Sequence, residues 1–377
     1  MRYFMNRRLH GLDPSGIRRF TRLAKAVPDC AMLTIGEPNA DTPDPIKEAC
    51  VQALANNRTH YPMNNGDPDL RSAVSAFEAR RRGCSYGPGE IIMTAGATES
   101  IFVAMQGCLN PGDEVIIPMP AFGLYESNVR MAGAKAVYLD TSQDNFQISK
   151  EKLRAAITDK TRMLIVNSPN NPTGVVYTQE TLEGIRDLVA GRPIFVLCDD
   201  VFDRMVYEPS PTLRQFGGIR RQMIICQSFS KPYAMTGWRL GYLMADSPVA
   251  EQLSLLHATT VSSIPAPFHD ACIAALQQDV SPMVRTYQAR RDYIYNRLVG
   301  MGLDVVKPTG SFYIFPSIKK FGMDDETFCT RMIREGKVAG VPGSCFGAEG
   351  YVRFSYCYSM YAIERGMDRL SRFIRHL

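Results

Sequence analysis

Paired cysteines, long apolar runs and a strong excess of one charge are all missing from this 377-residue chain. Its ten cysteines are scattered, without a C-x-x-C pair or a histidine at metal-ligand spacing, so we expect reduced thiols and no metal site. No stretch approaches the ~20 apolar residues that cross a bilayer, and the N-terminus has no apolar run of signal-peptide length. The sequence therefore predicts a cytoplasmic protein with no membrane partner.

The charge balance argues against a nucleic-acid partner. Lys and Arg number 43 against 38 Asp and Glu, and the net charge of +5 is spread along the chain. Proteins that bind nucleic acids concentrate basic residues on one face, and so small an excess does not indicate such a face. With 45% hydrophobic and 21% charged residues, the composition is that of an ordinary globular protein.

Between about Pro43 and Leu255, amphipathic helical segments alternate with short apolar runs that end in Gly, Pro, Asn or Asp. This alternation is typical of βαβ units, in which helices connect parallel strands. The predicted fold class is α/β, with a large domain built on a mostly parallel seven-stranded sheet flanked by helices. The predicted strands are EIIMTAG, DEVIIPMP, AKAVYL, TRMLIVNSP, IFVLCDD, QMIICQSFS and RLGYLMA.

The pattern changes after the helical segment near Ser247 to His257. Further helices are predicted near Pro282 to Gly300 and Ala362 to Leu377, with a hairpin-like segment, GSFYIFPSI, between them. The stretch up to about Ala31 has no strand partner of its own, and we expect it to pack on this second lobe. The predicted domains are a large one, 32–280, and a smaller α+β one formed by 1–31 and 281–377.

Polar side chains follow several of these strands, at the edge where open α/β sheets bind ligands. A lysine in a loop is usually just solvated, and an Asn in a Pro-rich turn is usually structural. A buried acid, however, is costly unless it meets a cation. Together the lysine, acid, amide, hydroxyls and arginine suit an anionic, aromatic, aldehyde-bearing ligand such as pyridoxal 5'-phosphate. The residues are Lys231, Asp199, Asn171, Ser228, Ser230 and Arg239.

A nicotinamide cofactor is the alternative ligand for an α/β enzyme. Its binding site requires G-x-G-x-x-G between the first strand and helix, with an acid after the next strand. The sequence contains no such fingerprint. We therefore set a nicotinamide-dependent enzyme aside.

Three motifs, SFSKPYAMTGWRLGY, NSPNNPTG and CDDVF, resemble those of the class I and II aminotransferases of pyridoxal-phosphate fold type I. The resemblance extends from about Ile17 to the C-terminus. It implies a reaction that moves an amino group from an L-amino acid to a 2-oxo acid. Tyr61, in YPMNNGDPDL, resembles the tyrosine that reaches the phosphate of the opposite subunit, which implies a homodimer with shared active sites. Packing against the helix that follows is the alternative for Tyr61.

The resemblance also implies the catalytic and ring-binding roles. Lys231 matches the lysine that binds the cofactor covalently and moves a proton at the substrate Cα, tasks that suit a deprotonated amine. Asp199 matches the acid that keeps the pyridine nitrogen protonated, so that the ring withdraws electrons. Asn171 matches the asparagine that hydrogen-bonds the cofactor's O3'. Phe122, in PAFGLY, matches the aromatic residue that stacks on the ring, although a core phenylalanine is an equal alternative without the neighbouring motifs.

The phosphate ligands implied by the resemblance come from two segments. Ser228 and Arg239 match side-chain ligands. In TAGATES, a small-residue loop with Gly96, Ala97 and Thr98 opens onto a helix, and backbone N–H groups at a helix N-terminus attract anions. Taken alone, the GAT signal fits an ordinary helix start equally well.

The implied substrate site includes Arg353, in YVRFSYC, which matches the arginine that grips the substrate α-carboxylate. Its guanidinium offers a bidentate fork that lysine lacks. Because apolar residues flank it, Arg353 needs an anionic partner if it is buried, and a surface salt bridge is the alternative. Gly36, in TIGEPNADTP, matches a glycine whose backbone approaches the same carboxylate, and Asn171 also belongs to this site.

Three positions depart from the family pattern. Phe202 replaces the usual tyrosine of Asp-x-x-Tyr, so one hydrogen bond to O3' is expected to be missing. His269 stands where related sequences often have Gln, a change without a physical explanation. Thr98 occupies a position where some aspartate-selective relatives carry lysine, which weakens an assignment to aspartate.

The reaction class and the donor are the least determined features. A carbon–sulfur lyase of the same fold keeps the same lysine, acid and arginine and is the alternative to an aminotransferase. An aminotransferase-like sensory module fused to a DNA-binding region would need more residues before the α/β pattern than the chain has. The pocket candidates Ile17, Tyr125 and Phe122 indicate an apolar or aromatic donor.

Overall fold

The computed structural model describes residues 5–9, 12, 16–82 and 85–377. Its α-helices are α1 (Gly16–Lys25), α2 (Asp44–Ala55), α3 (Pro68–Arg82), α4 (Ala97–Cys108), α5 (Leu124–Ala132), α6 (Lys150–Ala156), α7 (Gln179–Val189), α8 (Ser247–Thr260), α9 (Phe268–Leu276), α10 (Ser281–Gly300), α11 (Asp325–Arg334) and α12 (Met360–Ile374). Its strands are β1 (Ala31–Met32), β2 (Ile91–Thr94), β3 (Glu114–Met119), β4 (Lys135–Asp140), β5 (Thr161–Asn167), β6 (Phe195–Asp199), β7 (Met223–Ser228), β8 (Gly241–Ala245), β9 (Tyr313–Ile314), β10 (Val338–Ala339), β11 (Val341–Pro342) and β12 (Val352–Ser355). Short 3-10 helices cover Arg7–Leu9, Pro88–Glu90, Ser142–Asp144, Leu213–Gln215, Gly217–Gln222, Thr236–Trp238, Lys319–Phe321 and Gly343–Phe346.

The main sheet contains all seven strands that the apolar runs predict, in the order β2-β8-β7-β6-β5-β3-β4. Strands β3 to β7 pair in parallel. Strand β8 runs antiparallel to both of its neighbours, β2 and β7. The prediction of a mostly parallel seven-stranded sheet in an α/β fold is therefore confirmed.

Helices cover both faces of this sheet. Successive residues of a strand point to opposite faces, so neighbouring residues join different apolar clusters. In β2, Ile91 and Met93 join an apolar cluster that includes residues of α2, α3, α7 and α9. Ile92, between them, joins a second cluster with residues of α4, α5 and α8. Strands that are apolar on both faces require helices on both sides. This arrangement leaves the carboxyl ends of the strands as the place for polar chemistry.

A third apolar cluster joins α1, α10, α11 and α12 to the short strands. Strands β11, β12 and β9 form an antiparallel sheet in that order. Helix α1 packs on β10, β11 and α11, and it buries Phe20, Thr21 and Ala24 on one side. Helix α1 thus packs where we expected. Arg7–Leu9 does not, since it contacts α5 beside the main sheet, where Arg8 Nη1 donates to the Met131 oxygen at 3.0 Å. The division into domains at residues 31 and 280 stays a prediction.

Two expectations about short segments were wrong. The N-terminal stretch does find a strand partner at its end, since Ala31 pairs in parallel with Val338; a two-residue strand is too short to produce a periodic pattern. The segment GSFYIFPSI is not a hairpin, because its only strand, β9, pairs with β12. Ser311, which has a positive φ of 56°, donates its backbone N–H to the Met205 oxygen instead of pairing within the segment.

Among the helices of the described residues, none is both long and apolar enough to cross a bilayer.

Candidate active site

The carboxyl ends of β5, β6 and β7 lie side by side. Asn167, the last residue of β5, faces Asp199, the last residue of β6, which in turn faces Cys226 of β7. The Asn167 Nδ2 donates a hydrogen bond to the backbone oxygen of Asp199 at 2.9 Å. Parallel pairing therefore brings the polar strand ends to one edge of the sheet, where open α/β folds bind ligands.

Asp199 is buried, with 5% of its surface exposed. Its Oδ2 accepts a hydrogen bond from the Tyr125 hydroxyl at 2.6 Å, and its Oδ1 accepts a longer one from the Val201 N–H at 3.4 Å. Burial raises the pKa of Asp199 to about 6, although the Tyr125 hydrogen bond opposes the rise. A carboxylate at the edge of ionisation in a buried site is suited to a cationic partner.

Lys231 follows β7 and is half-buried. Its Nζ donates to the backbone oxygen of Gly36 at 2.7 Å. Burial lowers the pKa of Lys231 to about 8; Cys357 and Glu37 oppose this shift, and the positive charges of Arg239 and Arg353 contribute to it. An amine with this pKa is available as a nucleophile at mildly alkaline pH.

Gly36 is a glycine for a steric reason. A Cβ at this position would lie 1.7 Å from the Tyr313 hydroxyl oxygen. Any side chain would displace Tyr313 or lift the Gly36 backbone away from Lys231. The close packing against Tyr313 therefore requires glycine at this position. The approach of the Gly36 backbone to the substrate carboxylate stays a prediction.

The loop from Gly96 to Thr98 opens onto α4, which begins at Ala97. Gly96 has a φ of 81°, and a Cβ there would lie 2.9 Å from Arg239 Nη2. Arg239 is exposed, and its Nη1 donates to the Thr236 oxygen at 3.0 Å. The Ser228 hydroxyl accepts the Ser230 N–H at 3.0 Å. A guanidinium therefore lies against a helix N-terminus, a combination that suits a phosphate group.

Arg353 is buried to 1% exposure. Its Nη1 donates to Asn171 Oδ1 at 2.9 Å, and its Nη2 donates to the Thr34 oxygen at 2.6 Å. The guanidinium carbon lies 4.4 Å from the centroid of Tyr313 and 4.7 Å from that of Phe346. Among the described residues, no carboxylate pairs with Arg353 and no acceptor reaches its buried Nε. Burial lowers its pKa, so the site is arranged to receive an external anion.

The aromatic candidates separate into different roles. Phe122 is partly exposed, and its ring lies 6.2 Å from that of Tyr125 at 89°. Tyr125 is buried and hydrogen-bonded to Asp199, so it does not line an open pocket. Phe202 packs edge-to-face on Phe312 and Tyr313, at 5.3 and 5.6 Å. Its missing hydrogen bond to the cofactor stays a prediction.

Tyr61 is 93% exposed. The alternative that it packs against the following helix is therefore wrong.

His269 lies buried at 1% exposure, with its Nδ1 3.0 Å from Asp67 Oδ2. Asp67 also pairs with Arg58 at 2.7 Å. His269 thus forms, with Arg58 and Asp67, the group of charged side chains that anchors the segment before α3. This contact is the structural role of the histidine that departs from the family pattern.

The donor set fits pyridoxal 5'-phosphate. The Arg353 Nε, which has no acceptor in the described part of the chain, and the loop at Gly96 beside Arg239 are suited to anionic groups. The Lys231 amine is suited to the aldehyde, and the Asp199 carboxylate is suited to the ring nitrogen. Residues 28–370 match the family model of aminotransferase class I and II. The chain belongs to this family.

Relatives of this aminotransferase match it over almost its whole length. A Bacillus subtilis protein described as "probable N-acetyl-LL-diaminopimelate aminotransferase" is 38% identical over 99% of this chain and 96% of its own. Aromatic-amino-acid aminotransferase 2 of Thermococcus litoralis is 38% identical, over 98% of this chain and 97% of its own. The crystal structure of Thermotoga maritima aspartate aminotransferase aligns with a TM-score of 0.95 at 34% identity, covering 98% and 100% of the two chains. The predicted function is confirmed at the level of a pyridoxal-phosphate-dependent amino-acid aminotransferase.

A buried charge network behind Asp199 was missed by the sequence analysis of this aminotransferase. Arg214 pairs with Glu78, and with Asp200 at 2.7 Å and Asp203 at 3.5 Å. The Tyr242 hydroxyl donates to Glu78 at 2.5 Å. Arg214 compensates the charge of Asp200, the residue next to Asp199. Glu78, an acid among the apolar residues of α3, was the signal that could have indicated it.

A second missed pair, Glu99 and His257, supports the loop from Gly96 to Thr98. Glu99 is buried in the first turn of α4 and accepts the Ala95 N–H through Oε2. Its Oε1 lies 2.7 Å from His257 Nδ1, and His257 Nε2 lies 2.8 Å from the Asn64 oxygen. His257 therefore links the loop to the segment that carries Tyr61. Contacts over such sequence distances leave no local pattern to detect.

The lowered pKa of Lys231 leads to a testable pH profile. We expect covalent attachment of the cofactor to the apoenzyme to accelerate about tenfold per pH unit below pH 8 and to level off above it. The measurement is stopped-flow absorbance after mixing apoenzyme with cofactor, with N-acetyl-lysine as the ordinary amine control. A rate that keeps rising toward pH 10.5, as for an unperturbed lysine, would contradict the assignment.

Proposed function

We propose that Lys231, Asp199 and Arg353 carry the reaction of this aminotransferase. What supports the proposal is a continuous chain of contacts between them. Lys231 bonds the Gly36 oxygen, Gly36 lies against Tyr313, and the Tyr313 ring lies beneath Arg353. Arg353 bonds Asn171, whose N–H donates to Asn167 Oδ1 at 2.9 Å, and Asn167 bonds Asp199.

In this proposal each residue performs one task. Bound pyridoxal 5'-phosphate supplies an electron sink for the electrons released at the substrate Cα. Lys231 holds the cofactor covalently and moves the proton between the substrate Cα and the cofactor's C4'. Asp199 keeps the ring nitrogen protonated, and Asn171 Nδ2, which has no hydrogen bond among the described residues, donates to O3'. Phe122 stacks on the ring. The phosphate ligands are Gly96, Ala97, Thr98, Ser228 and Arg239.

Arg353 and Gly36 take the substrate carboxylate in this proposal. We expect Arg353→Lys to raise KM for every amino donor by roughly tenfold to a hundredfold, because a point charge replaces a bidentate fork. Cofactor retention should stay unchanged. The measurement is steady-state kinetics with several donors, together with the absorbance of the bound cofactor.

The control is Arg291→Lys. Arg291 is equally buried, and its Nη1 bonds the Pro308 oxygen at 2.6 Å, away from the site. A similar KM change in both variants, or normal donor binding by Arg353→Lys, would contradict the role of Arg353.

We further propose a donor with an apolar or aromatic side chain. Phe346, which lies over Arg353, belongs to an apolar cluster that Ile17 packs against. The donor's carboxylate therefore enters beside an apolar surface. Thr98, exposed at the phosphate loop, provides no cation for a second carboxylate. An unpaired carboxylate in such surroundings costs binding energy.

A panel of amino donors tests this preference. Phenylalanine, tyrosine and leucine would be compared with aspartate and glutamate, using one 2-oxo acid as the common acceptor. We expect the apolar donors to exceed the acidic ones by at least about tenfold in kcat/KM. A preference for aspartate would reverse the proposal while leaving the reaction class intact.

We also propose a homodimer in which Tyr61 of a second copy completes the site. Tyr61 and Met63 are 93% and 57% exposed, yet their segment is anchored through Asn64 and Asp67. Ordered, exposed aromatic and apolar side chains are typical of contact surfaces. Beside Arg239, a cavity of about 390 Å³ lies open at the phosphate loop, and Tyr61 of the second copy would close it.

Mixed dimers test the shared site. Chains with Lys231→Ala and chains with Tyr61→Ala would be co-expressed and compared with each homodimer. If sites are shared, roughly a quarter of all sites regain both residues, and activity exceeds the average of the two homodimers. Activity no higher than the average of the two homodimers would contradict sharing, and a monomeric mass by light scattering would contradict the dimer. The cytoplasmic location also remains a proposal, which cell fractionation tests.

A further inference from the structure

Tyr125 occupies a position from which it can act on Asp199 and not on the substrate. Its ring is buried at 1% exposure, and its hydroxyl donates to Asp199 Oδ2 at 2.6 Å. This contact joins residues that are 74 positions apart in the sequence. A short, buried hydrogen bond to a carboxylate is stronger than one between neutral groups.

The other groups around Asp199 do not replace this contact. The Val201 N–H reaches Oδ1 only at 3.4 Å, and Asn167 bonds the backbone oxygen. The titratable neighbours are Asp200, which pairs with Arg214, the buried thiols of Cys226 and Cys198, and Tyr177. Among the described residues, Tyr125 is thus the one side chain that donates to the Asp199 carboxylate.

We propose that Tyr125 is a positioning residue, which fixes the orientation of Asp199 and limits its basicity toward the cofactor's ring nitrogen. The inference rests on the proposed role of Asp199. Burial and the adjacent carboxylate raise the pKa of Tyr125, so its hydroxyl stays protonated and donates to the carboxylate. Donation stabilises the carboxylate form of Asp199, and a less basic carboxylate leaves the proton on the ring nitrogen.

Tyr125 lies at the start of α5. This position connects the two proposed contacts to the cofactor ring, that of Phe122 and that of Asp199. Phe122 lies one turn earlier, and the two rings meet edge-to-face at 6.2 Å. The segment from Phe122 to Tyr125, whose Phe122 would stack on the face of the cofactor ring, would therefore also hold Asp199 at the edge of that ring. A rigid connection between these contacts would keep Asp199 oriented toward the cofactor's ring nitrogen.

The test is Tyr125→Phe, which removes one oxygen and keeps the ring. The matched control is Tyr177→Phe, since Tyr177 is also buried but, among the described residues, does not donate a hydrogen bond to Asp199. Two readouts do not depend on activity. One is the ¹⁵N chemical shift of the ring nitrogen in enzyme loaded with labelled cofactor. The other is the pKa of the Asp199 carboxyl in the apoenzyme, followed by difference infrared spectroscopy.

We expect the Asp199 pKa to rise by roughly one to two units in Tyr125→Phe, and the ring-nitrogen signal to move toward the deprotonated form. Tyr177→Phe should change neither. A fluorinated tyrosine at position 125 is a stronger donor and should lower the Asp199 pKa, which keeps the inference testable if the phenylalanine variant folds poorly.

The outcomes separate the two proposals. If Asp199→Asn shifts the nitrogen signal but Tyr125→Phe and the fluorinated tyrosine do not, the role of Tyr125 is wrong and that of Asp199 stands. If Asp199→Asn leaves the signal unchanged, the proposed role of Asp199 fails first. Equal effects in Tyr125→Phe and Tyr177→Phe would show a general packing defect and would also overturn the inference.

Discussion

Replacing Lys231 with alanine is expected to abolish covalent cofactor binding and to reduce kcat by at least about 10²- to 10⁴-fold. The lower limit comes from the general-base contribution alone, because the proposed role of this amine includes moving the proton at the substrate Cα. The visible absorbance of the covalently bound cofactor should disappear at every pH. Absorbance spectra and single-turnover kinetics measure the two effects separately.

Lys135→Ala is the matched control. Lys135 is exposed at the start of β4, where it pairs with Glu114 at 3.3 Å, and it lies at the opposite end of the strands from the site. Its removal should leave both spectrum and rate nearly unchanged. A Lys231→Ala variant that keeps the covalent spectrum would show that a different amine binds the cofactor.

Asp199→Asn is expected to stabilise the apoenzyme while reducing kcat by about 10²- to 10³-fold, as for the loss of one electrostatic contact. Folding raises the Asp199 pKa from 3.8 to about 6. The cost of burying the carboxylate is therefore fully present above pH 6 and vanishes as the pH falls below 3.8. Two pKa units correspond to about 3 kcal/mol at pH 8.

The neighbouring acid provides a control of opposite sign. Asp200 is paired with Arg214, so Asp200→Asn leaves a buried guanidinium with less compensation and should destabilise the fold. Thermal melting of the apoenzymes at pH 8 and near pH 5 measures both changes, and the gain in Asp199→Asn should shrink at the lower pH. If Asp199→Asn melts below the wild-type protein at pH 8, burial of the Asp199 carboxylate does not destabilise the apoenzyme, which would contradict this account.

The main sheet could be predicted from the sequence because its strands are apolar on both faces and end in turn residues. The run IFVLCDD, for example, becomes β6 and ends at Asp199. The β1–β10 pairing could not, since strands of two residues have no period and the two strands come from opposite ends of the chain. In the three-stranded sheet β9 and β11 are equally short, and β9 pairs with the distant strand β12. Such strands form because tertiary packing positions their backbones, not because of local propensity.

The residues at the strand ends could be predicted because each belongs to a motif continuous in the sequence. Lys231, Asp199 and Asn171 are of this kind. The groups that set their chemistry come from distant segments: Tyr125 bonds Asp199, Arg353 bonds Asn171, and the Gly36 backbone meets Lys231. Such contacts depend on how the chain folds. The sequence therefore indicates which side chains lie at the site, but it does not indicate the pKa values that their neighbours give them.

Reduction of the wild-type holoenzyme with borohydride, followed by peptide mapping, tests the central claim most directly. Reduction converts the bond between cofactor and protein into a stable amine linkage, which mass spectrometry locates. The account requires the cofactor mass on the peptide that contains Lys231, at about one per chain. Cofactor on any other lysine would show that the ends of β5, β6 and β7 are not the reacting centre.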